Sequence, residues 1–225
     1  SMVDPSRDLE VNTFGTYHLL ELSKNLGIKK FVHASTGSVY GEPVIFPQDE
    51  SHPFNPVSHY GVSKLAGENY VNLFNNLFGL DTTVLRYYHV YGSRQESNEF
   101  GGVVSIFIRN LINNEMPTIF GDGTTTRDFI FVDDIIQANL RAALSSKADG
   151  YVINVAYGKS VTLTQLAELI IKMTASKSRI DYVPFRKGDI LYSLADTSEA
   201  KRLIGYNPKY DLLSGLEKTI EFFIQ

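Results

Sequence analysis

The chain has 225 residues, 43% of them apolar and 20% charged, which is the composition of an ordinary globular domain with a sizeable core and excludes a disordered or fibrous chain. Lys plus Arg (21) fall slightly below Asp plus Glu (25), for a formal charge of −4, so no basic field exists to hold a nucleic acid or an anionic membrane. Cysteine is absent, which removes disulfides, thiolate metal sites and a Cys nucleophile together and agrees with a reducing, cytoplasmic setting.

In chain order the pattern alternates helix and strand. Apolar residues recur at helical spacing from Ser6 to Gly27, where glycine supplies the stop. Lys29 to Thr36 reads as a strand ending in small residues, and a long loop runs from Gly37 to Ser58. A helix over Tyr60 to Phe78 follows, then a strand over Asp81 to Tyr88, a polar loop to Phe100 and a helix near Val103 to Asn114. This βαβα rhythm predicts a parallel sheet covered by helices.

Beyond Pro117 the elements shorten. Strands are expected at Thr118–Phe120, Phe129–Val132, Tyr151–Ala156 and Ile180–Pro184, with helices over Val132–Leu144, Thr162–Thr174 with a threonine cap, and Leu212–Phe223. No uninterrupted apolar run approaches the roughly 18 residues of a membrane span, and no signal-peptide pattern opens the chain.

Tyr60 and Lys64 stand four apart on one predicted helix, so both side chains project from one face. A close ammonium stabilises phenolate, and bringing a tyrosine from about 10 to about 7 needs about 4 kcal/mol, which a cation in a dry cleft largely supplies. That makes Tyr60 a candidate general acid/base toward an alcohol. The same spacing also fits a surface lysine beside a half-buried tyrosine, and Ser35-Thr36 fits plain turn chemistry as well as a hydroxyl at a carboxyl strand end. Gly158-Lys159-Ser160 imitates the end of a phosphate-binding loop, but Ile153 stands where that motif needs glycine. The histidines (His18, His33, His52, His59, His89) fall at unrelated spacings, so no metal site is expected.

Several segments together carry a family resemblance: Glu10-Val11-Asn12 with Gly15-Thr16, His33-Ala34-Ser35-Thr36-Gly37-Ser38-Val39-Tyr40-Gly41, Tyr60-Gly61-Val62-Ser63-Lys64, Leu85-Arg86-Tyr87-Tyr88-His89, Gly121-Asp122-Gly123 to Arg127-Asp128-Phe129, and Arg186-Lys187-Gly188-Asp189. In this order the chain resembles the extended short-chain dehydrogenase/reductase family, the NAD-dependent nucleotide-sugar epimerases and dehydratases, and within it the UDP-glucose 4-epimerases. The resemblance implies an α/β fold, the C-terminal part of a Rossmann-type doubly wound parallel sheet over residues 1–116, with a small α+β substrate-binding lobe mainly over 117–225.

It implies NAD as cofactor and a UDP-hexose as substrate, inverted at C4 through a transient 4-keto sugar. Tyr60 would take the sugar hydroxyl proton, Thr36 would hydrogen-bond that hydroxyl, and Lys64 would lower the tyrosine and hold the nicotinamide ribose. Asn12 and Tyr88 would also touch the cofactor. Phe120 would stack on the base, Arg127 and Arg186 would pair with the diphosphate, and Asp189 would bond the ribose. Phe120 equally fits a core position, and Arg127-Asp128 a braced turn.

The family's 4,6-dehydratases resemble Thr-Asp-Glu where this chain has Thr36-Gly37-Ser38, and its decarboxylases keep a glutamate at position 38. A 4-epimerase needs neither acid. Ser193 occupies the position whose size governs an N-acetyl group at C2, and His89 replaces an asparagine that contacts substrate phosphate. The family opens with a Gly-rich turn for the NAD pyrophosphate that these 225 residues do not contain. The resemblance therefore implies a piece of a longer protein, in which Ser1 to Pro5 precede the fold's fourth helix and Met2 need not be an initiator. An open strand edge at Phe31 to Thr36 and a homodimer through the first and third predicted helices are expected with it. The alternatives are a non-catalytic fragment or paralogue that binds a nucleotide sugar or a partner chain and, within the family, a nucleotide-sugar dehydratase, decarboxylase or reductase.

Overall fold

The structure is a computed structural model that describes Ser1 and residues 3–97, 101–186 and 189–225. Met2, Phe100 and the Lys187-Gly188 pair of the last motif lie outside the described residues. The chain divides into two compact units that interleave along the sequence. The first comprises Ser1–Tyr88, Ile136–Val155 and Ala195–Asn207, and the second His89–Ile135, Ala156–Leu194 and Pro208–Gln225. Residues 89–116 thus belong to the second unit, ahead of the boundary expected at 116.

The helix expected from Ser6 is α1 (Pro5–Leu9) and α2 (Gly15–Asn25), joined by a π turn over Glu10–Phe14. Gly27, at φ +64°, ends it as the sequence predicts. β1 (Lys30–Thr36) leads into a 3₁₀ turn at Gly37–Val39. Next, α3 (His59–Phe78) is capped by Ser58, whose hydroxyl accepts from Gly61 N at 3.1 Å, and closed by Gly79 at φ +67°. β2 (Asp81–Tyr87) and β3 (His89–Tyr91) follow, the latter in the stretch expected to be loop. The order continues through α4 (Val103–Ile112), β4 (Thr118–Phe120), β5 (Thr126–Phe131), α5 (Val132–Leu144), β6 (Tyr151–Val155), β7 (Ser160–Thr162), α6 (Leu163–Thr174), β8 (Asp181–Val183), α7 (Ser198–Ile204) and α8 (Leu212–Ile224). Thr162 caps α6 in a full capping box with Gln165.

In the first unit β1, β2 and β6 form a parallel sheet in that order, with Ser35 opposite Arg86 and Arg86 opposite Asn154. Among the described residues β1 is therefore an edge strand. Leu20 of α2 and Val71 and Phe74 of α3 bury against Leu80 and Val84, a cluster in which each side chain contributes about 1.5–3 kcal/mol. In the second unit β5 pairs in parallel with β3 and antiparallel with β7, and β4 pairs with β8. Its core gathers Phe107, Ile108 and Leu111 from α4, Leu166 and Ile170 from α6, and Leu216 and Ile220 from α8 around Ile119, Phe129 and Phe131.

A buried ion pair fastens α3 to the sheet. Arg86 of β2 meets the Glu68 carboxylate through Nη2 and, at 3.1 Å, through Nε, with the two side chains 2% and 1% exposed. Ser35 Oγ donates to the same carboxylate at 2.9 Å, and Arg86 Nη1 donates to the Tyr40 hydroxyl at 2.6 Å, which donates to Asn154 Oδ1 at 2.8 Å. The guanidinium also lies 4.8 Å from the ring centroids of both Tyr40 and Phe54. Truncation of one partner leaves the other charge buried and unpaired. Glu68→Ala is expected to cost about 3–5 kcal/mol of stability, read as a lower midpoint in urea unfolding of the purified chain.

Candidate active site

Thr36 ends β1 and caps the turn behind it, its Oγ1 accepting from Ser38 N at 3.1 Å. The first turn of α3 packs directly on this corner. Gly61 makes that possible, because a Cβ there would stand 2.8 Å from Ser38 O. Tyr60, just before it, is thereby brought to the same corner, where Thr36 acts to lower its hydroxyl. The two residues expected to share the sugar hydroxyl meet at one corner.

Lys64 does not act on Tyr60 in this geometry. Its Nζ donates to the carbonyl of Ala34 in the edge strand β1. Burial raises the Tyr60 hydroxyl above its ordinary value, against the lowering by the Thr36 hydrogen bond, and the Asp8 carboxylate adds to the rise. The depression expected from the ammonium is absent, since Lys64 is engaged by the strand. Burial lowers Lys64, opposed by Glu68 and Asp8.

Of the expected cofactor residues, Asn12 and Tyr60 line one hollow of about 400 Å³ with Asp8 and Val11. Asn12 Nδ2 donates to Ser63 Oγ at 3.1 Å. Tyr88 is buried at 8% exposure, its ring lies against Gly37 and its hydroxyl donates to Gln48 Oε1 at 3.4 Å. These residues fit the nicotinamide-ribose end of a dinucleotide: a hydrogen-bonding amide and a phenol open onto one hollow with a cation on the same helix face.

The second unit holds its own cleft, of about 550 Å³, whose lining includes Phe120 of β4, Arg127 of β5, Arg186, Asp189, and Asn110 and Phe107 of α4. Four of the expected substrate residues are thus together. Arg186 stacks on Phe120, with its guanidinium carbon 3.5 Å from the ring centroid, so a cation covers the ring face expected to meet a base. Arg127 Nη1 donates to its neighbour's carbonyl, Thr126 O, at 2.9 Å. Ser193, 6% exposed, is not among the residues that line the cleft. His89 is not among them either. Its ring meets Phe129 edge to face at 5.9 Å, and burial, then the Arg127 charge, lowers it to about 3.

Residues 1–156 match the family described as NAD dependent epimerase/dehydratase. The chain belongs to that family. It is 38% identical over 224 residues to the UDP-glucose 4-epimerase of Mycolicibacterium smegmatis, covering 99% of this chain and 71% of that protein. Among solved structures it is similar to a UDP-glucose 4-epimerase from Thermotoga maritima with UDP-glucose, at 41% identity and TM-score 0.95, covering 98% of this chain and 72% of that one. A Thermus thermophilus UDP-glucose 4-epimerase in complex with NAD matches at 31% identity and TM-score 0.90, over 98% and 72% of the two chains. Membership in this family makes the α/β fold and the dependence on NAD properties of the chain's kind, and its relatives handle nucleotide sugars. Among the described residues no group of acids and histidines could hold a metal ion, and no helix is long and apolar enough to cross a membrane.

The sequence did not single out Asp8, Ser63 or Asn110. Asp8 precedes Asn12 by one helical turn and Ser63 adjoins Lys64, so position relative to a motif residue was the only available signal.

His33, 6% exposed beside Lys64, is like His89 lowered to about 3, by burial first and then by the lysine charge. Both folded values lie below the unfolded 6.5, so the unfolded chain binds more protons below that value and stability falls with pH. Each ring is expected to withdraw about 2 kcal/mol between pH 7 and pH 5, the loss levelling off near pH 3. His33→Phe should flatten the pH dependence of the urea midpoint by about that amount.

Proposed function

We propose that this chain carries the acid/base and nucleotide-sugar residues of a UDP-hexose 4-epimerase. The observation that carries the reading is the meeting of Tyr60 and Thr36 at one corner, where Thr36 acts on the Tyr60 hydroxyl, followed by Gly37-Ser38. Tyr60, as phenolate, accepts the proton of the sugar C4 hydroxyl while Thr36 orients that oxygen, and Tyr60 returns the proton when the hydroxyl re-forms on the inverted carbon. NAD, when bound, supplies the oxidation and the following reduction at C4. A single acid/base suffices for this cycle, and Gly37 and Ser38 offer no carboxyl group to expel water or assist decarboxylation.

In this reading Asn12, Lys64 and Tyr88 serve the cofactor. Burial weakens the hold of Lys64 on its proton, which makes its ammonium a responsive partner for a ribose hydroxyl. In the second unit, Arg127 and Arg186 supply the positive charge for a diphosphate, Asp189 a ribose partner and Phe120 a flat apolar surface for a base. Arg186 would leave the Phe120 ring, or sandwich the base against it. His89, held neutral, brings no charge to phosphate binding, and the small side chain of Ser193 supports room for both plain and N-acetylated hexoses.

The assembly proposed is a homodimer in the cytoplasm. Leu19, Leu22 and Leu26 of the α2 segment are 56%, 55% and 74% exposed, and Tyr70, Leu73 and Leu77 of α3 are 38%, 46% and 64% exposed. These apolar stripes, on the first and second of the predicted helices and not on the first and third, support association with a second copy.

Tyr60→Phe is expected to lower kcat for conversion of UDP-galactose to UDP-glucose, with NAD present, by about 10²–10⁴-fold. Unchanged turnover would overturn the reading. Leu77→Glu is expected to shift the chain from dimer to monomer mass in light scattering, and a parent that is already monomeric would refute the dimer.

A further inference from the structure

Ser63 lies between Tyr60 and Lys64 in sequence and is 2% exposed, yet its polar atoms are fully engaged. Its hydroxyl donates to Asp8 Oδ2 at 2.6 Å and accepts from Asn12 Nδ2 at 3.1 Å, and its carbonyl accepts from Thr13 Oγ1 at 2.9 Å. The three partners come from α1 and the π turn that follows it. Such a turn widens the helix by one residue and recurs at functional sites. Gly67, one turn beyond Ser63, completes the fit, because a Cβ there would stand 2.7 Å from Asn12 O. An irregular turn and a glycine therefore bring one carboxylate against the segment that carries Tyr60 and Lys64.

Among the described residues no cation forms an ion pair with that carboxylate. Arg7, beside it in sequence, pairs with Glu10 at 2.8 Å, and the Asp8 oxygen meets a hydroxyl instead. Glu68, the other acid near Lys64, is bound to Arg86. We propose that Asp8 is a positioning residue that, through Ser63, fixes the Tyr60-to-Lys64 turn of α3 and governs the charge this turn experiences. The proposal rests on the reading of Tyr60 as the acid/base for its catalytic meaning.

The physical consequence is two-sided. A fixed negative charge disfavours phenolate and favours ammonium. Tyr60 is raised, by burial first and by Asp8 in addition, and at Lys64 Asp8 works with Glu68 against the lowering by burial. The groups that face Tyr60 are Ser1, Asp4, Arg7 and Asp8 across the hollow, Thr36 from β1 and Lys64 on its own helix. Asp4 is occupied in capping Arg7 N at 2.9 Å, which makes it the control.

The test reads Tyr60 alone. Phenolate absorbance is titrated for the parent, Asp8→Asn, Ser63→Ala and Asp4→Asn, each against the same chain carrying Tyr60→Phe, with circular dichroism confirming the fold. Asp8→Asn is expected to move the Tyr60 midpoint to lower pH, giving about threefold more phenolate at a fixed pH below the midpoint. Ser63→Ala, which frees the carboxylate without removing it, moves the midpoint in the same direction and stands in if Asp8→Asn does not fold. Asp4→Asn leaves the midpoint in place. An unmoved midpoint in folded Asp8→Asn and Ser63→Ala, or an equal shift in Asp4→Asn, would overturn the proposal. UDP-galactose turnover, followed against pH in parallel, separates the two readings. If Tyr60→Phe abolishes turnover but the Asp8 variant leaves the midpoint unmoved, only the role of Asp8 falls. If Tyr60→Phe keeps turnover, the acid/base reading falls and takes the catalytic meaning of Asp8 with it.

Discussion

The Arg86–Glu68 pair is the contact on which the geometry of the first unit depends. Two charges removed from water are tolerated only where their hydrogen-bonding capacity is met, and here Ser35, Tyr40 and the second guanidinium nitrogen meet it. The consequence is positional. Glu68 follows Tyr60 and Lys64 at successive intervals of four, so anchoring it to β2 fixes the helix face that carries all three. Ser35, bound to the same carboxylate, precedes Thr36, and the strand end that presents the Thr36 hydroxyl is therefore tied to the helix that presents the phenol. One ion pair sets both sides of the corner.

Electrostatics at that corner runs against the simplest expectation for a tyrosine base. The lysine is turned to a strand carbonyl, a carboxylate lies near the phenol, and burial resists ionisation. The second unit shows the same economy of charge. Its cleft carries two arginines and an aspartate, one arginine is laid on a phenylalanine ring, and the neighbouring histidine stays neutral.

Long elements with strong caps were legible in the sequence. The helix read over Tyr60 to Phe78 stands as α3, Thr162 opens α6, and Gly27 closes the first helix, because cap chemistry is local. The π turn was not legible, since hydrophobic spacing continues through an inserted residue. The three-residue strands β3 and β7 escaped because only pairing with β5 defines them, and α7 lacks a side-chain cap to announce it. At the candidate site, motif order brought Thr36, Tyr60 and Lys64 forward together, and the cleft residues Phe120, Arg127, Arg186 and Asp189 do lie together. What could not be read is what distance decides. Lys64 finds a carbonyl 30 positions back, Ser193 is buried and not among the residues that line the cleft, and Asp8 reaches Ser63 across 55 positions.

The interleaving of the two units bears on how the chain can fold. The second unit draws its core from three stretches separated by long excursions, and Leu216 and Ile220, near the last residue, pack with Phe131 and Phe107 from the middle of the chain. Closing such loops carries an entropic cost before any packing compensates for it, which slows the search for the native state. During synthesis, neither unit can be completed before the other is partly exposed. The apolar surface of Phe107, Ile108 and Leu111 must wait for α8 to leave the ribosome, a window in which chaperone binding or aggregation competes with folding.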